Sequence, residues 1–267
     1  MRIVRTIDEL RRALEPLRPS GTLGLVPTMG ALHDGHLALL RSARDECGTV
    51  VMSLFVNPAQ FDDEQDLSAY PRDEAVDARI AETAGVDLVF APIADEIYPP
   101  GFQTWVDVSG VARGLEETAR PGHFRGVATV CLKLFAIVRP DRAYFGQKDA
   151  QQAAVVRTLV RDLALGIEIR VLPTVRDPDG LAVSSRNARL SPGERERALA
   201  LPHALRAGLE AHERGGDAVA AARAALDGLE PDYVATLDLD GAVLLAAAAR
   251  VGSTRLIDNV VLEGELP

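Results

Sequence analysis

The sequence predicts an α/β fold: a doubly wound, Rossmann-like, mostly parallel sheet with a smaller C-terminal α+β domain. Apolar β-branched runs alternate with amphipathic helical stretches up to about Val175, which is typical of a parallel sheet covered by helices on both faces. Beyond Val175 the alternation stops, and two helical stretches rich in Ala, Arg and Glu precede short apolar or alternating runs. We therefore expect two domains, residues 1–175 and residues 176–267.

The expected elements follow from the spacing of apolar residues. Helices are expected where these residues recur every three to four positions, and strands where apolar runs are continuous or alternate. The expected helices are residues 6–17, 37–47, 73–84, 127–138, 149–163, 194–214 and 217–229. The expected strands are residues 22–27, 49–56, 86–91, 142–145, 167–175, 233–239 and 254–261, with residues 104–109 as a short strand or an edge segment.

Helix-breaking and capping residues set several of these boundaries. Pro16, Pro19, Ser20 and Gly21 together end the first helix, and Pro140 stops the helix that precedes the strand at residues 142–145. Ser191, Pro192 and Glu194 supply an N-cap, a proline at the first helical position and an acid at the third. We therefore expect a well-defined helix start in the second domain.

The composition is that of an ordinary soluble globular protein, with 267 residues, 47% hydrophobic and 25% charged. A formal net charge of −10 argues against nucleic acid or an anionic membrane bound through a broad basic face. The two Cys lie in apolar helical patterns, which favours reduced core thiols over a disulfide or zinc site. No apolar run reaches about 18 residues and no leader-like segment is evident, so we expect a cytoplasmic protein.

A glycine-bearing turn with two histidines joins the strand at residues 22–27 to the helix at residues 37–47. Unpaired N–H groups at a helix N-terminus carry partial positive charge, which suits a phosphate. His33 and His36 fall outside the apolar stripe that begins at Leu37, so a functional role outweighs a structural one. We expect them to donate hydrogen bonds to phosphate oxygens as charge develops in a transition state. A zinc site is disfavoured because no third ligand stands at helical spacing.

Lys148 and Asp149 open the helix that follows the strand at residues 142–145. A solvated helix start with Asp149 as N-cap is the simpler interpretation. The helix dipole disfavours a Lys there unless an anion binds, so phosphate binding is predicted. A short polar segment in the second domain suits closure over a triphosphate, although a flexible linker explains it equally well. Its residues are Ser184, Ser185 and Arg186.

Neutral amides lie near strand ends at Asn57, Gln60 and Gln152. Such amides can hold a hydroxyl or carboxylate of a small substrate without a competing charge, although exposed amides fit the composition equally well. Asp77 lies in an acidic stretch that is otherwise a solvated face. It is our candidate Mg²⁺ ligand, because Mg²⁺ takes one or two carboxylates together with phosphate oxygens.

A basic, glycine-containing loop holds Arg120, His123 and Arg125. It either binds a carboxylate of a substrate or balances nearby acidic side chains. In doubly wound sheets the ligand crevice lies beyond the carboxyl ends of the strands. We therefore expect the segments at His33, at Asn57, at Lys148 and beyond Val175 to converge on one crevice.

Five segments, in order along the chain, resemble the signature of the pantothenate synthetase (pantoate–β-alanine ligase) family. They are residues 27–36 (PTMGALHDGH), 55–61 (FVNPAQF), 70–72 (YPR), 144–152 (YFGQKDAQQ) and 184–187 (SSRN). Residues 254–259 also look familial, and the His-x-Gly-His element is similar to that of the wider nucleotidylyltransferase group. Two positions depart from the pattern: Gln147 stands where the family often has Glu, and Val183 where Met is common.

The resemblance implies ATP as co-substrate, Mg²⁺ as cofactor, and pantoate and β-alanine as substrates. The pantoate carboxylate attacks the α-phosphate to give pantoyl adenylate and pyrophosphate, and the β-alanine amine then releases AMP and forms pantothenate. A side-chain nucleophile is not required. The resemblance also implies a homodimer formed through the N-terminal domain.

The resemblance further implies individual residue roles. The residues that handle the triphosphate are His33, His36, Lys148, Ser184, Ser185 and Arg186. The residues that line the nucleotide are Met29, Gly146, Asp149 and Val175. The residues that hold pantoate are Met29, Asn57, Gln60, Tyr70 and Gln152. Arg120 and His123 would gate the site or recognise the second substrate, and Asp77 would bind Mg²⁺.

Two other functions stay open at this point. Another nucleotidylyltransferase of the same superfamily would transfer a nucleotidyl group and leave a dinucleotide-like product without AMP. A non-catalytic ATP-binding protein would bind ATP but would need no pantoate pocket. A tRNA synthetase is disfavoured by the acidic net charge.

Overall fold

The structure is a computed structural model that describes residues 1–62, 64–239 and 241–265. The chain divides into two compact units. The first holds Met1–Phe145 and Gln152–Leu172, and the second holds Gly146–Gln151 and the chain from Pro173 onward. The segment Gly146–Gln151 therefore belongs to the second unit, although it lies between two elements of the first.

The first unit is built on a parallel sheet with six described strands in the order β1-β4-β3-β2-β5-β6. These strands are β1 (Arg2–Val4), β2 (Leu23–Thr28), β3 (Thr49–Leu54), β4 (Leu88–Phe90), β5 (Arg142–Gly146) and β6 (Glu168–Leu172). From β2 the chain moves outward through β3 to β4, and then returns to place β5 on the other side of β2. The strand order thus reverses between β2 and β5, which is where such sheets bind ligands.

Helices cover both faces of this sheet. Successive residues of a strand point to opposite faces, so apolar side chains on both faces need a covering layer. The helices of the first unit are α1 (Ile7–Leu14), α2 (Asp34–Glu46), α3 (Glu64–Ser68), α4 (Glu74–Thr83), α5 (Ala94–Ile97), α6 (Leu115–Ala119), α7 (His123–Val138) and α8 (Ala150–Asp162). Leu25, Val51 and Phe145 share one core with α1, α7 and α8. Their sheet neighbours Met52 and Tyr144 share the other core with α2 and α4. The predicted doubly wound α/β fold is confirmed.

The second unit contains an antiparallel sheet with strand order β7-β8-β9 and three described helices. These elements are α9 (Pro192–Ala198), α10 (Ala200–Glu213), α11 (Ala218–Ala225), β7 (Pro231–Leu239), β8 (Ala242–Val251) and β9 (Thr254–Glu263). Helix α10 packs tightly at Gly208, where an added Cβ would clash with Leu245 of β8 and with the Ala218 carbonyl of α11. The predicted helices on a small antiparallel sheet are confirmed.

Several elements differ from prediction. No described strand pairs with residues 104–109, so the strand alternative is wrong, and the Val106 N–H donates instead to Thr129 Oγ1 at 3.1 Å. The helix expected at residues 194–214 is two helices that meet at Leu199. Strand β8 was not predicted, because its run of Ala lacks the β-branched signature of a strand. Within the described residues, none of the helices has the length and apolar character needed to cross a membrane.

Candidate active site

The turn between β2 and α2 places its two histidines at a helix N-terminus. His33 is the N-cap of α2, and Nδ1 of His36 accepts a hydrogen bond from the His33 N–H at 3.3 Å. His36 thus fills the place that Glu or Gln occupies in a capping box. The two rings lie 4.0 Å apart between centroids. Because Nδ1 accepts, a neutral His36 carries its proton on Nε2, and that nitrogen is the donor it can offer a ligand.

The backbone that precedes His33 is held by a carboxylate distant in sequence. Asp77 on α4 is 3% exposed, and its two oxygens accept the N–H groups of Ala31 at 3.0 Å and Leu32 at 2.8 Å. Gly30 and Ala31 have positive φ angles of 87° and 51°. An added Cβ at Gly30 would lie 2.8 Å from Asp77 Oδ2, so the turn passes directly over the carboxylate.

These contacts favour a role for Asp77 in positioning the turn. Across the described ranges, His, Cys, Asp and Glu side chains form no cluster of three or more that could hold a metal ion. Mg²⁺ in proteins commonly binds one or two carboxylates together with phosphate oxygens and water. The Mg²⁺ role of Asp77 stays a prediction.

A buried amide network follows β3. Asn57 is 1% exposed, its Oδ1 accepts from the Ala59 N–H at 3.2 Å, and its Nδ2 donates to Gly126 O at 3.2 Å. The Tyr98 hydroxyl also donates to Oδ1, at 2.8 Å. The second Nδ2 hydrogen goes to Gln60 Oε1 at 3.0 Å. This bond turns the Gln60 side-chain carbonyl toward Asn57 and thereby fixes the orientation of the Gln60 amide.

Arg120 and His123 both contact the short 3₁₀ turn Pro58–Gln60, which contains Gln60. The Gln60 backbone carbonyl accepts from Arg120 Nη2 at 3.2 Å and from His123 Nδ1 at 2.9 Å. Arg120 Nε also donates to Asp62 Oδ1 at 3.3 Å. His123 belongs to the first turn of α7 and not to the predicted loop. The structure therefore gives both residues contacts that position Gln60.

The remaining predicted residues of the first unit are half-buried: Met29 beyond β2, Gln152 in the first turns of α8, and Tyr70. Tyr70 packs edge-on against Phe61, with ring centroids 5.8 Å apart.

In the second unit, Lys148 lies in a 3₁₀ turn, Gln147–Asp149, and lines a small cleft. Ser184 and Arg186 line the same cleft. Lys148 Nζ is 3.9 Å from Asp149 Oδ2, and its side chain is 18% exposed. The cleft therefore gathers an ammonium, a guanidinium and a hydroxyl, which is a donor set suited to phosphate oxygens.

The segment at residues 184–186 is ordered by its own hydrogen bonds. Ser184 is the N-cap of a 3₁₀ turn, Ser185–Arg189, and its Oγ accepts from the Arg186 N–H at 3.3 Å. Asn187 Nδ2 donates to Ala182 O at 3.0 Å, and the Val183 N–H donates to Val175 O at 3.0 Å. This segment is a turn built on the second unit and not an irregular linker.

Arg176, Asp258 and Asn259 stand beside this cleft, although no role was predicted for them. Arg176 forms a two-point ion pair with Asp258, at 2.6 and 3.0 Å, and the Asp258 side chain is 1% exposed. The only sequence signal was that residues 254–259 look familial.

The structure shows three groups of predicted residues. In the first unit, His33 and His36 form one group, and Asn57, Arg120 and His123 form another around Gln60. In the second unit, Lys148, Ser184 and Arg186 line one cleft. The predicted convergence of four segments on one crevice stays a prediction.

Comparison with known proteins decides the family. A model of the pantoate-beta-alanine ligase family matches residues 2–261. The chain belongs to this family. A pantothenate synthetase of Roseiflexus sp. (strain RS-1) is 54% identical over 279 residues, which cover 98% of this chain and 100% of that one. The predicted family is therefore confirmed.

Solved structures agree with this assignment. The crystal structure of pantothenate synthetase from Thermus thermophilus matches with a TM-score of 0.92 at 46% identity, covering 99% of this chain and 100% of that one. A pantoate-beta-alanine ligase from Francisella tularensis, solved in complex with beta-gamma ATP and beta-alanine, matches with a TM-score of 0.85 at 35% identity. That match covers 99% of both chains.

Proposed function

We propose that this protein joins pantoate to β-alanine, using ATP and forming pantoyl adenylate as the intermediate. The observation that carries the proposal is the family match over residues 2–261. A family member at 35% identity was solved with beta-gamma ATP and beta-alanine, which supports ATP and β-alanine as ligands here. The products are pantothenate, AMP and pyrophosphate.

Two displacements make up the reaction. A pantoate carboxylate oxygen attacks the α-phosphorus, and the bond to the pyrophosphate oxygen breaks. The β-alanine amine then attacks the acyl carbon of the adenylate, the bond to AMP breaks, and the amine loses a proton to solvent. The carboxylate is already an anionic nucleophile, the amine attacks in its deprotonated form, and AMP is a good leaving group. Positioning and charge stabilisation are therefore the protein's main contribution.

In the first unit we assign the α-phosphate to His33 and His36. The N-terminus of α2 adds backbone N–H groups and the positive end of its dipole. The capping bond to His36 Nδ1 leaves Nε2–H as the donor, so a neutral ring can stabilise the developing charge.

In the second unit we assign the other phosphates to the cleft residues. Lys148 and Arg186 supply positive charge there, and Ser184 supplies a hydroxyl donor. We also assign the hydroxyl of Ser185, the next residue along the chain, to these phosphates. We assign the nucleoside to Gly146, Asp149 and Val175 in this unit.

We assign pantoate to Gln60, Gln152, Met29 and Tyr70. Asn57, Arg120 and His123 all contact the Pro58–Gln60 turn, so we propose that they act on pantoate by holding Gln60 in place. Mg²⁺ is proposed as the partner of the triphosphate, with Asp77 as its candidate ligand. The bound ion would neutralise phosphate charge.

We further propose a cytoplasmic homodimer that forms through the first unit. Trp105 is 40% exposed and packs against Tyr98 and Phe102, with ring centroids 6.0 and 5.3 Å away. An exposed Trp side chain of this kind is typical of an interface. Light scattering should report twice the chain mass, and Trp105→Ser should shift the equilibrium toward monomer. A monomeric unmodified protein would contradict the homodimer.

The deciding experiment measures AMP release with ATP and pantoate, with and without β-alanine. We expect pantoate-dependent pyrophosphate release, and AMP that depends on β-alanine. A dinucleotide-like product without AMP would instead indicate another nucleotidylyltransferase. ATP binding without any turnover would indicate a non-catalytic ATP-binding protein.

A further inference from the structure

We propose that Asn259 on β9 is a positioning residue that fixes the backbone of Lys148 and thereby aims its ammonium group. No motif assigns this residue a role. The inference rests on the phosphate-binding role proposed for Lys148.

The Asn259 side chain closes a small hydrogen-bonded ring with the 3₁₀ turn Gln147–Asp149. Its Nδ2 donates to Gln147 O at 2.9 Å and to Lys148 O at 3.0 Å, which uses both amide hydrogens. Its Oδ1 accepts from Gln147 Nε2 at 3.2 Å. A flipped amide would turn Oδ1 toward two carbonyl oxygens, so the ring permits one orientation.

Asn259 is itself held rigidly. It is 3% exposed, and its backbone N–H donates to Asp258 Oδ1 at 2.8 Å. Asp258 is in turn fixed by the two-point ion pair with Arg176, whose Nη2 also donates to Asn259 O at 3.4 Å. The two carbonyls of the turn are therefore tied to a fixed point on β9.

Restraining the two carbonyls affects Lys148 because its side chain is long and flexible and has many rotamers. Fixing the carbonyls at residues 147 and 148 restricts the backbone from which that side chain leaves. Lys148 lines the cleft that Ser184 and Arg186 also line. A displacement of about 1 Å at a catalytic group can cost about 100-fold in rate.

The Gln147 side chain is part of the same hydrogen-bonded ring. Its amide supplies the donor that satisfies Asn259 Oδ1. A Glu at this position has the same shape but no such donor, and it would bring a carboxylate oxygen against Oδ1. Gln147→Glu should therefore weaken the ring without removing side-chain volume.

The test is a double-mutant cycle of Asn259→Ala and Lys148→Ala, read as pantoate-dependent pyrophosphate release and resolved into kcat and KM for ATP. We expect Asn259→Ala to lower kcat/KM about 10- to 100-fold. In the Lys148→Ala background the same change should cost about twofold or less, because the group it aims is gone. Gln147→Glu should give a smaller loss of the same kind.

Asp217→Ala is the matched control. It removes the N-cap of α11 in the same unit, where Asp217 Oδ1 accepts from the Ala220 N–H at 2.9 Å. It should lower the melting temperature while the kinetic constants stay normal. If Asn259→Ala does not fold, Gln147→Glu provides the same comparison.

Normal kinetics in the Asn259 and Gln147 variants, with a lowered melting temperature, would overturn the inference. So would an equal loss in both backgrounds, since Asn259 would then act elsewhere. If Lys148→Ala is strongly impaired, either of these two results would overturn the inference about Asn259 and leave the proposed function intact. Normal activity of Lys148→Ala would overturn both this inference and the proposed role of Lys148.

Discussion

The Tyr98 hydroxyl donates a hydrogen bond of 2.8 Å to Asn57 Oδ1, and Asn57 in turn orients Gln60 through a bond of 3.0 Å. Tyr98 lies outside every motif of the sequence. Burial raises the pKa of its phenol well above the usual value, so the hydroxyl stays a neutral donor at any pH used for assay. A side chain outside the motifs thus supports, through Asn57, the amide that we assign to pantoate.

Tyr98→Phe should raise the KM for pantoate about 3- to 10-fold, with a smaller effect on the KM for ATP. The reason is the loss of one neutral hydrogen bond, which contributes about 1 kcal/mol. Steady-state kinetics with each substrate varied in turn checks this. Tyr144→Phe removes another buried hydroxyl, bonded to Glu46 at 3.1 Å in the other core, and should leave both KM values unchanged. An equal effect of the two variants would contradict a specific role of Tyr98.

His36→Gln separates the helix cap from the chemistry. Gln at the third helical position can still accept the His33 N–H, so the melting temperature should stay close to that of the unmodified protein. The ring donor is lost, and adenylate formation should fall about 100-fold or more, the scale of one preorganised donor. Pyrophosphate release and thermal unfolding of the same samples check both parts. His36→Ala should lower both the melting temperature and the rate of adenylate formation. His33→Ala should lower the rate of adenylate formation by a comparable factor.

Asp77→Asn tests which role this carboxylate has. The amide would turn an NH₂ group toward one of two backbone donors, so we expect a loss of about 1–3 kcal/mol in stability and a reduced kcat. If Asp77 acts through the turn, the Mg²⁺ concentration for half-maximal activity stays unchanged. Activity titrations with Mg²⁺ and thermal unfolding measure the two effects. A several-fold higher Mg²⁺ requirement at unchanged stability would instead support the metal role.

Gly126→Ala should disturb the turn that carries Gln60. An added Cβ at Gly126 on α7 would clash with the Ala59 carbonyl, so the turn must move away from the helix. We expect a melting temperature lower by several degrees and a KM for pantoate raised about 10-fold or more. Gly193→Ala in α9 is the control, because nothing lies within 4 Å of an added Cβ there. That variant should be neutral or slightly stabilised. An unchanged KM in Gly126→Ala would show that the turn does not position pantoate.

The elements that the sequence predicted correctly are those that local chemistry specifies. The predicted helix start at Ser191, Pro192 and Glu194 lies within four residues, and the structure has the capping box there. The β–α alternation likewise follows from apolar periodicity, because each element buries its own apolar face. Strand β1, with three residues, is too short to show a periodic signal.

Strand β8 shows the limit of this reasoning. Its Ala-rich run has weak strand propensity, yet residues 242–249 pair with β7 on one side and residues 243–251 pair with β9 on the other. Ala247 and Leu245 of this strand are fully buried and belong to the core of the second unit. Strand pairing and burial thus decide this element, and a propensity argument does not detect either.

The sequence alone determined the fold class, the family and the residue types that can bind phosphate, because these are written in local patterns and short motifs. Tertiary structure alone decided which residues hold those groups in place. Asp77 lies more than 40 positions from the turn it holds, and Asn259 lies more than 100 from Lys148. A hydrogen bond between distant segments depends on how the chain returns through its sheets, and no local pattern records that path.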